Sequence, residues 1–257
     1  MSATVYFSRT ITPEKVLELY QMTGKTLPGK VAVKLHSGEK GNQNFLGPDF
    51  WKPVIDYVDG TVVECNTAYE GERNTTEKHR KLLEEHGWSR YFAVDLLDAE
   101  GEDLKLECPG GKVIRENYVG KNIVHYDSML VLSHFKGHPM GGYGGALKQL
   151  SIGVASSYGK AYIHGAGVPE NIWTSDHDSF LESMAEAEDP CLNDIGILVS
   201  TDPIAVDQAC IDLVYACDDP GKAHFLERIE SRNGIHTIEA AAALGYGTRE
   251  YELIEVE

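Results

Sequence analysis

The sequence predicts an α/β protein, a mainly parallel sheet flanked by helices, built as a single domain over 1–257 or as two α/β lobes with a cleft between. Three observations carry that class. Short apolar runs, VAVKLH (31–36), TVVEC (61–65), YFAVDLL (91–97) and IGILVS (195–200), alternate with longer helix-patterned stretches. Those runs are apolar at nearly every position, as strands covered on both faces are. The stretches between them carry helix start and stop residues rather than hairpin turns.

In chain order, PEKVLELYQMTG (13–24) is a helix opened by Pro13 and closed by Gly24, and the strand 31–36 follows. PDFWKPVIDYVDG (48–60) has a helical pattern interrupted at Pro53, then the strand 61–65. NTTEKHRKLLEEHG (74–87) is a helix with Asn74 as cap, Glu77 three residues on, and Gly87 as stop. The strand 91–97 leads into an irregular, Gly-rich segment to about residue 122. A strand within 122–134 and a helix from near Gly144 come next. The stretch 160–192 is the least regular, and the strand 195–200 runs into a helix begun by Asp202 and Pro203.

Bulk composition narrows the function. The 257 residues hold 23 basic and 40 acidic side chains, a formal net charge of −17 that repels phosphate backbones and anionic lipid. Nucleic acid and membrane are therefore not expected partners. No apolar run reaches the roughly 20 residues of a membrane span, and MSATVYFSRTITPEK has no leader pattern, so a cytoplasmic location is expected. Five cysteines without a C-x-x-C pair read as reduced thiols.

In open α/β sheets ligands sit beyond the carboxyl ends of the strands. One such end supplies Lys34, His36 and Glu39, and a second Asn66, Thr67, Tyr69 and Arg73. A third supplies His134, Lys136 and His138, and the last ends at Thr201 and Asp202. Four strand ends thus deliver cationic, imidazole and amide groups to one expected rim. Gly141, Gly142, Gly144 and Gly145 then bare the backbone ahead of a helix start, where free N–H groups and Lys148 suit a phosphate or carboxylate. The alternative is that these glycines make a tight crossing. His134, Lys136, His138 and His36 are the expected proton-transfer groups. Alternatively, His134, His138 and His164 hold a divalent metal. Arg73 can clamp a ligand carboxylate or pair with Glu70 or Glu72, and Asp202 can bind ligand or cap its helix. His79 and His86 are expected to face solvent, and His177 to lie in an acidic loop.

The segments VKLHSGEKGN, ECNTAYEGERNTTEKH, LSHFKGHPMGGYGGALKQLSIG, GKAYIH and DIGILVSTDPIAVDQACIDLV resemble domain-of-unknown-function family three-six-two, as does ALGYGTREYELIEV near the end. Members of that family are commonly labelled iron–sulfur-centre proteins. The resemblance implies Lys34, His36, Glu39, Asn66, Thr67, Tyr69, Arg73, His134, Lys136, His138, Lys148 and His164 as motif positions. It also implies a ferredoxin-like insert in longer relatives, between GKAYIH and DIGILV. Here residues 165–194 contain one cysteine, Cys191, so no ferredoxin-type cluster is expected in this chain. Three functions follow as expectations. One is an enzyme acting on a small anionic molecule. The second is a redox accessory served by a separate ferredoxin-like partner. The third is a non-catalytic anion-binding protein.

Overall fold

The computed structural model describes residues 2–101, 103–172 and 192–257. In chain order the elements are β1 (Ala3–Ser8), α1 (Pro13–Met22), β2 (Val31–Lys34), α2 (Pro48–Tyr57), β3 (Gly60–Glu64), α3 (Thr76–Glu85) and α4 (Trp88–Tyr91). Next come β4 (Val94–Leu96), β5 (Asp103–Glu107), β6 (Glu116–Gly120), β7 (Ser128–Val131), β8 (Lys136–His138) and β9 (Gly142–Gly144). Then follow α5 (Ala146–Lys148), α6 (Ser157–His164), β10 (Ile197–Ser200), α7 (Pro203–Ala216), α8 (Lys222–Ser231), α9 (Ile235–Ala243) and β11 (Tyr251–Glu255).

The chain divides into two compact units. The terminal unit contains Met1–Lys25, His134–Leu147 and His177–Glu257; the central unit contains Thr26–Ser133 and Lys148–Asp176.

The central unit is built on a four-stranded, all-parallel sheet in the order β4-β3-β2-β7. The chain steps outward from β2 through β3 to β4, then returns to lay β7 on the other side of β2. Strand order therefore reverses between β2 and β7, the place where such sheets open a crevice beyond their carboxyl ends. β2 is buried at all four residues, and Ala32, Val63, Cys65 and Leu97 form one core cluster beside it. That burial explains the continuous apolar reading of VAVK and TVVE. The parallel α/β class is thus observed.

The terminal unit has its own three-stranded sheet, with β1 between antiparallel β10 and parallel β11. α7 packs Ala205 and Ala209 against Val5, and a second cluster joins Tyr143, Ile204, Ile211, Ile229 and Ile238. The strand 197–200 therefore belongs to a different sheet from β2, β3 and β7, which corrects the expectation of four strand ends on one rim. It pairs with β1, which pairs in turn with β11, so residues 3–8 lie between two strands almost 200 or more positions away, a pairing no local pattern announces.

Other differences have local causes. α2 continues through Pro53, which gives up one N–H in the second turn while Trp51, Val54 and Ile55 stay buried. Thr75, not Asn74, caps α3, its hydroxyl accepting from Lys78 N–H at 3.3 Å. Asn74 instead exchanges side-chain hydrogen bonds with Glu70 and Lys78. The segment expected to be irregular holds the antiparallel pair β5–β6. Residues 157–164, partly assigned to an irregular stretch, form α6, capped by Ser156. His177 and Cys191 lie outside the described residues. Among the described residues, no helix is long and apolar enough to cross a membrane.

Candidate functional site

The carboxyl ends of β2 and β3 carry a buried network of ionised groups in the central unit. Glu64, the last residue of β3, is 2% exposed and accepts from Lys34 Nζ at 2.9 Å, Ser37 N–H at 2.8 Å and Arg73 Nη2 at 3.1 Å. Lys34 Nζ also donates to Leu35 O. Arg73, 4% exposed, donates to Glu39 Oε1 at 2.6 Å, and its Nε donates to His79 Nε2 at 3.3 Å. Burying so many charges costs several kcal/mol per ion before pairing repays it. Burial pushes the Glu64 carboxyl up, but Lys34 and Arg73 outweigh it and hold the group well below the carboxylate range. For Arg73 the same carboxylates overcome burial and raise the guanidinium further. The expected choice for Arg73 between ligand clamp and surface pair resolves otherwise: it clamps Glu64 and Glu39 of its own chain.

The network reaches solvent at His36 and Glu39. His36 Nδ1 accepts from Gly38 N–H at 3.0 Å, and its Nε2 lies 3.0 Å from Arg73 Nη1 and 3.5 Å from Glu39 Oε1. Desolvation pushes Glu39 up, yet its hydrogen bond to His36 and the charge of Arg73 bring it down to about 2. Burial, and after it the charge of Glu39, raises the Tyr69 hydroxyl.

Inward, His79 is fully buried, which corrects the solvent-facing expectation. It shares one helical face with the buried Leu82 and Leu83, and that spacing is the signal that could have found it. Burial lowers its pKa to about 3, so the ring is neutral, accepts from Arg73 and donates Nδ1–H to Asn66 Oδ1 at 3.2 Å. His86, half-buried, is stacked on Phe45 at 4.6 Å with Nδ1 2.9 Å from Ser37 O. Asn66 N–H donates to Asp98, which also accepts from Ser157 N–H at 2.9 Å and so ties the end of β3 to the start of α6. Ser157 Oγ donates to Thr67 O, and Thr67 N–H to Arg73 O at 2.8 Å.

A π-helical turn, Gln149–Gly153, follows α5; such turns recur at functional sites. A Cβ on Gly153 would lie 3.0 Å from Lys34 Cε, so the glycine leaves the lysine stem its path. Burial, then the charges of Lys148 and Lys160, lower His164 to about 4. Two hydroxyls at the reversal point lack partners: Ser37 Oγ beyond β2 and Ser133 Oγ beyond β7 are both buried without a hydrogen bond. Lys34, His36, Glu39, Asn66, Thr67 and Arg73, expected at strand ends, lie at or beyond the ends of β2 and β3, around Glu64. Sequence reasoning missed Glu64, His79, Asp98 and Lys160, of which Glu64 was visible as a carboxylate inside an apolar strand.

The glycine segment belongs to the terminal unit and is a hairpin, β8 paired antiparallel with β9. His138 Nδ1 accepts from Met140 and Gly141 N–H at 3.3 and 3.0 Å and so closes the turn. Gly142 has φ +78, and a Cβ there would lie 3.1 Å from the Cα atoms of Gly234 and Ile229. The tight-crossing alternative describes this residue. At the helix start that follows Gly144 and Gly145, the N–H groups of Ala146 and Leu147 donate to Asp207 at 2.8 and 2.9 Å. The two amides expected to meet an external anion are thus spent on an internal carboxylate. Asp207 itself is pushed up by burial, which those two bonds only partly offset, to about 6. Both oxygens of Asp202 are also used, by Ile204, Ala205 and Thr248 N–H, which is the capping role. His134 Nδ1 and the Tyr143 hydroxyl are buried without partners. Burial and Lys136 lower the His134 pKa against the pull of Asp194.

Among the described residues, no three His, Cys, Asp or Glu side chains gather in a way that could hold a metal ion. His134 and His138 belong to the terminal unit and His164 to the central unit. Cys65, Cys108, Cys210 and Cys217 are free thiols, and burial pushes Cys65 up to about 12.

No curated protein matches the chain. A solved structure, the lactate racemase apoprotein from Thermoanaerobacterium thermosaccharolyticum, is similar at a TM-score of 0.48 and 12% identity. The match covers 81% of this chain and 56% of that one, so this chain spans little more than half the length of that protein. A family model matches residues 31–212, from the first residue of β2 into α7, and the chain belongs to that family, described as Domain of unknown function (DUF362).

Proposed function

We propose that this chain is an enzyme that takes a small carboxylate- or phosphate-bearing molecule at the carboxyl ends of β2 and β7. The observation that carries the reading is the pair of buried, unpartnered hydroxyls, Ser37 Oγ and Ser133 Oγ, a few residues beyond the two strands that flank the reversal of strand order. Each unsatisfied buried hydroxyl costs about 1–3 kcal/mol, and ligand oxygens accepting from them would recover that cost. Lys148 supplies positive charge, while Lys34 and Arg73, held by Glu64, supply a fixed field in place of mobile side chains. His36 moves the proton: Glu39, ionised throughout the neutral range, stabilises the imidazolium that forms. His134, Lys136 and His138 are further acid–base candidates within the terminal unit, with His134 the one whose Nδ1 is unengaged.

Calorimetric titration with inorganic phosphate and with pyruvate tests this reading. Saturable binding of at least one, weakened tenfold or more by Lys148→Ala, is the expected result; a charge-assisted hydrogen bond of about 1.5–3 kcal/mol sets that size. Proton exchange on binding, read from two buffers of different ionisation heat, should vanish in His36→Gln. Heats that do not saturate with either probe contradict the reading.

A further inference from the structure

Lys160 is buried in a way that ordinary lysines are not. It lies on α6, is 7% exposed, and donates from Nζ to Ala155 O at 2.6 Å. No carboxylate stands within 4.0 Å of it among the described residues, unlike Lys34, which has Glu64. Lysines are almost never buried unless paired, because an ammonium taken out of water needs a counter-charge. The charged and titratable groups that act on it are Cys65 and Asp98, which favour its proton, and Lys34 and Arg73, which oppose it. Burial is the largest influence, and the net effect depresses its pKa. A purely structural role would be filled at lower cost by methionine or leucine. A desolvated amine beside other cations is how proteins make a lysine nucleophilic.

We infer that Lys160 is a nucleophilic amine that forms an imine with an oxo acid held at the same strand ends; this deepens the anionic-substrate reading above and rests on it. The Nζ lone pair attacks the ketone carbon, a C–N bond forms, and the proton leaving nitrogen ends on the former carbonyl oxygen. The carbinolamine then loses that hydroxyl with one proton from solvent as water, and the C–N double bond of an iminium remains. No oxidant or reductant is consumed. The substrate's carboxylate answers the charge of Lys148 and the hydroxyls of Ser37 and Ser133, and the iminium becomes an electron sink for proton removal at the adjacent carbon.

The test is reductive trapping. The full chain is incubated with pyruvate, reduced with sodium borohydride, digested and mapped by mass. The expected result is one reduced carboxyethyl adduct on Lys160, absent in Lys160→Met and Lys160→Arg, with a trapping rate that rises at lower pH than for surface lysines. Lys160→Met should fold and melt close to the wild type, which makes the missing adduct a loss of the amine alone. Should that variant fail to fold, the adduct map of the wild type still decides. Adducts spread over exposed lysines, or none on Lys160, overturn it. If pyruvate binds saturably in the calorimeter yet never marks Lys160, the anion site stands and the imine falls. If pyruvate neither binds nor marks, both fall together.

Discussion

Glu64 and Asp207 are both buried carboxylates, one at the end of a strand in the central unit and the other on a helix in the terminal unit, and their surroundings drive them in opposite directions. Glu64 meets one lysine, one arginine and one backbone amide, and stays ionised well below the usual range. Asp207 meets only the amides of Ala146 and Leu147, and burial lifts it to about 6. Full counter-charges overcome desolvation, whereas two peptide dipoles do not. The contrast separates the glycine hairpin and the helix start after it, where backbone amides are consumed in holding the fold, from the strand ends of the central unit, where full charges are fixed against each other.

The largest expected break in that comparison is Glu64→Gln. Lys34 and Arg73 would remain buried against a neutral amide, a loss of about 3–5 kcal/mol in urea unfolding at pH 7. A change below about 1 kcal/mol would mean that the pairs contribute little. Next is pH. A rise from 3.8 to about 6 on folding makes Asp207 stabilising below its unfolded value, an effect lost as pH climbs through 6. That corresponds to about 2 kcal/mol between pH 4 and 7. Glu64 works the other way: its contribution is complete above the unfolded value near 4.5 and is lost as pH falls below it. Asp207→Asn should therefore flatten the decline between pH 4 and 7 and leave the acid-side loss intact; an unchanged profile would refute the assignment. Gly142→Ala, forced to keep φ +78, should cost about 1–2 kcal/mol by thermal melting. His36→Gln is the smallest, about 1 kcal/mol or less, because the ring is about a third exposed and water can replace its partners.

The same contrast marks what the sequence disclosed. The β2 and β3 runs were legible because burial on both faces leaves an uninterrupted apolar signature, and so were the residues that follow them. β5 was hidden because DLKLE is largely exposed and depends on its partner β6 rather than on its own pattern. The β1–β11 pairing joins residues some 250 apart, which no window detects. Glycine richness at 141–145 looked like an anion cradle because composition cannot show that Asp207, over 60 residues away, already fills the helix start. Lys160 looked ordinary because desolvation is a property of the folded state.

Crystals grown with pyruvate or phosphate would test the central claim most directly. The account predicts an oxyanion beyond the carboxyl ends of β2 and β7, hydrogen-bonded to Ser37 Oγ or Ser133 Oγ. An oxyanion seated instead in the 136–146 hairpin, with Asp207 displaced from Ala146 and Leu147, would contradict it.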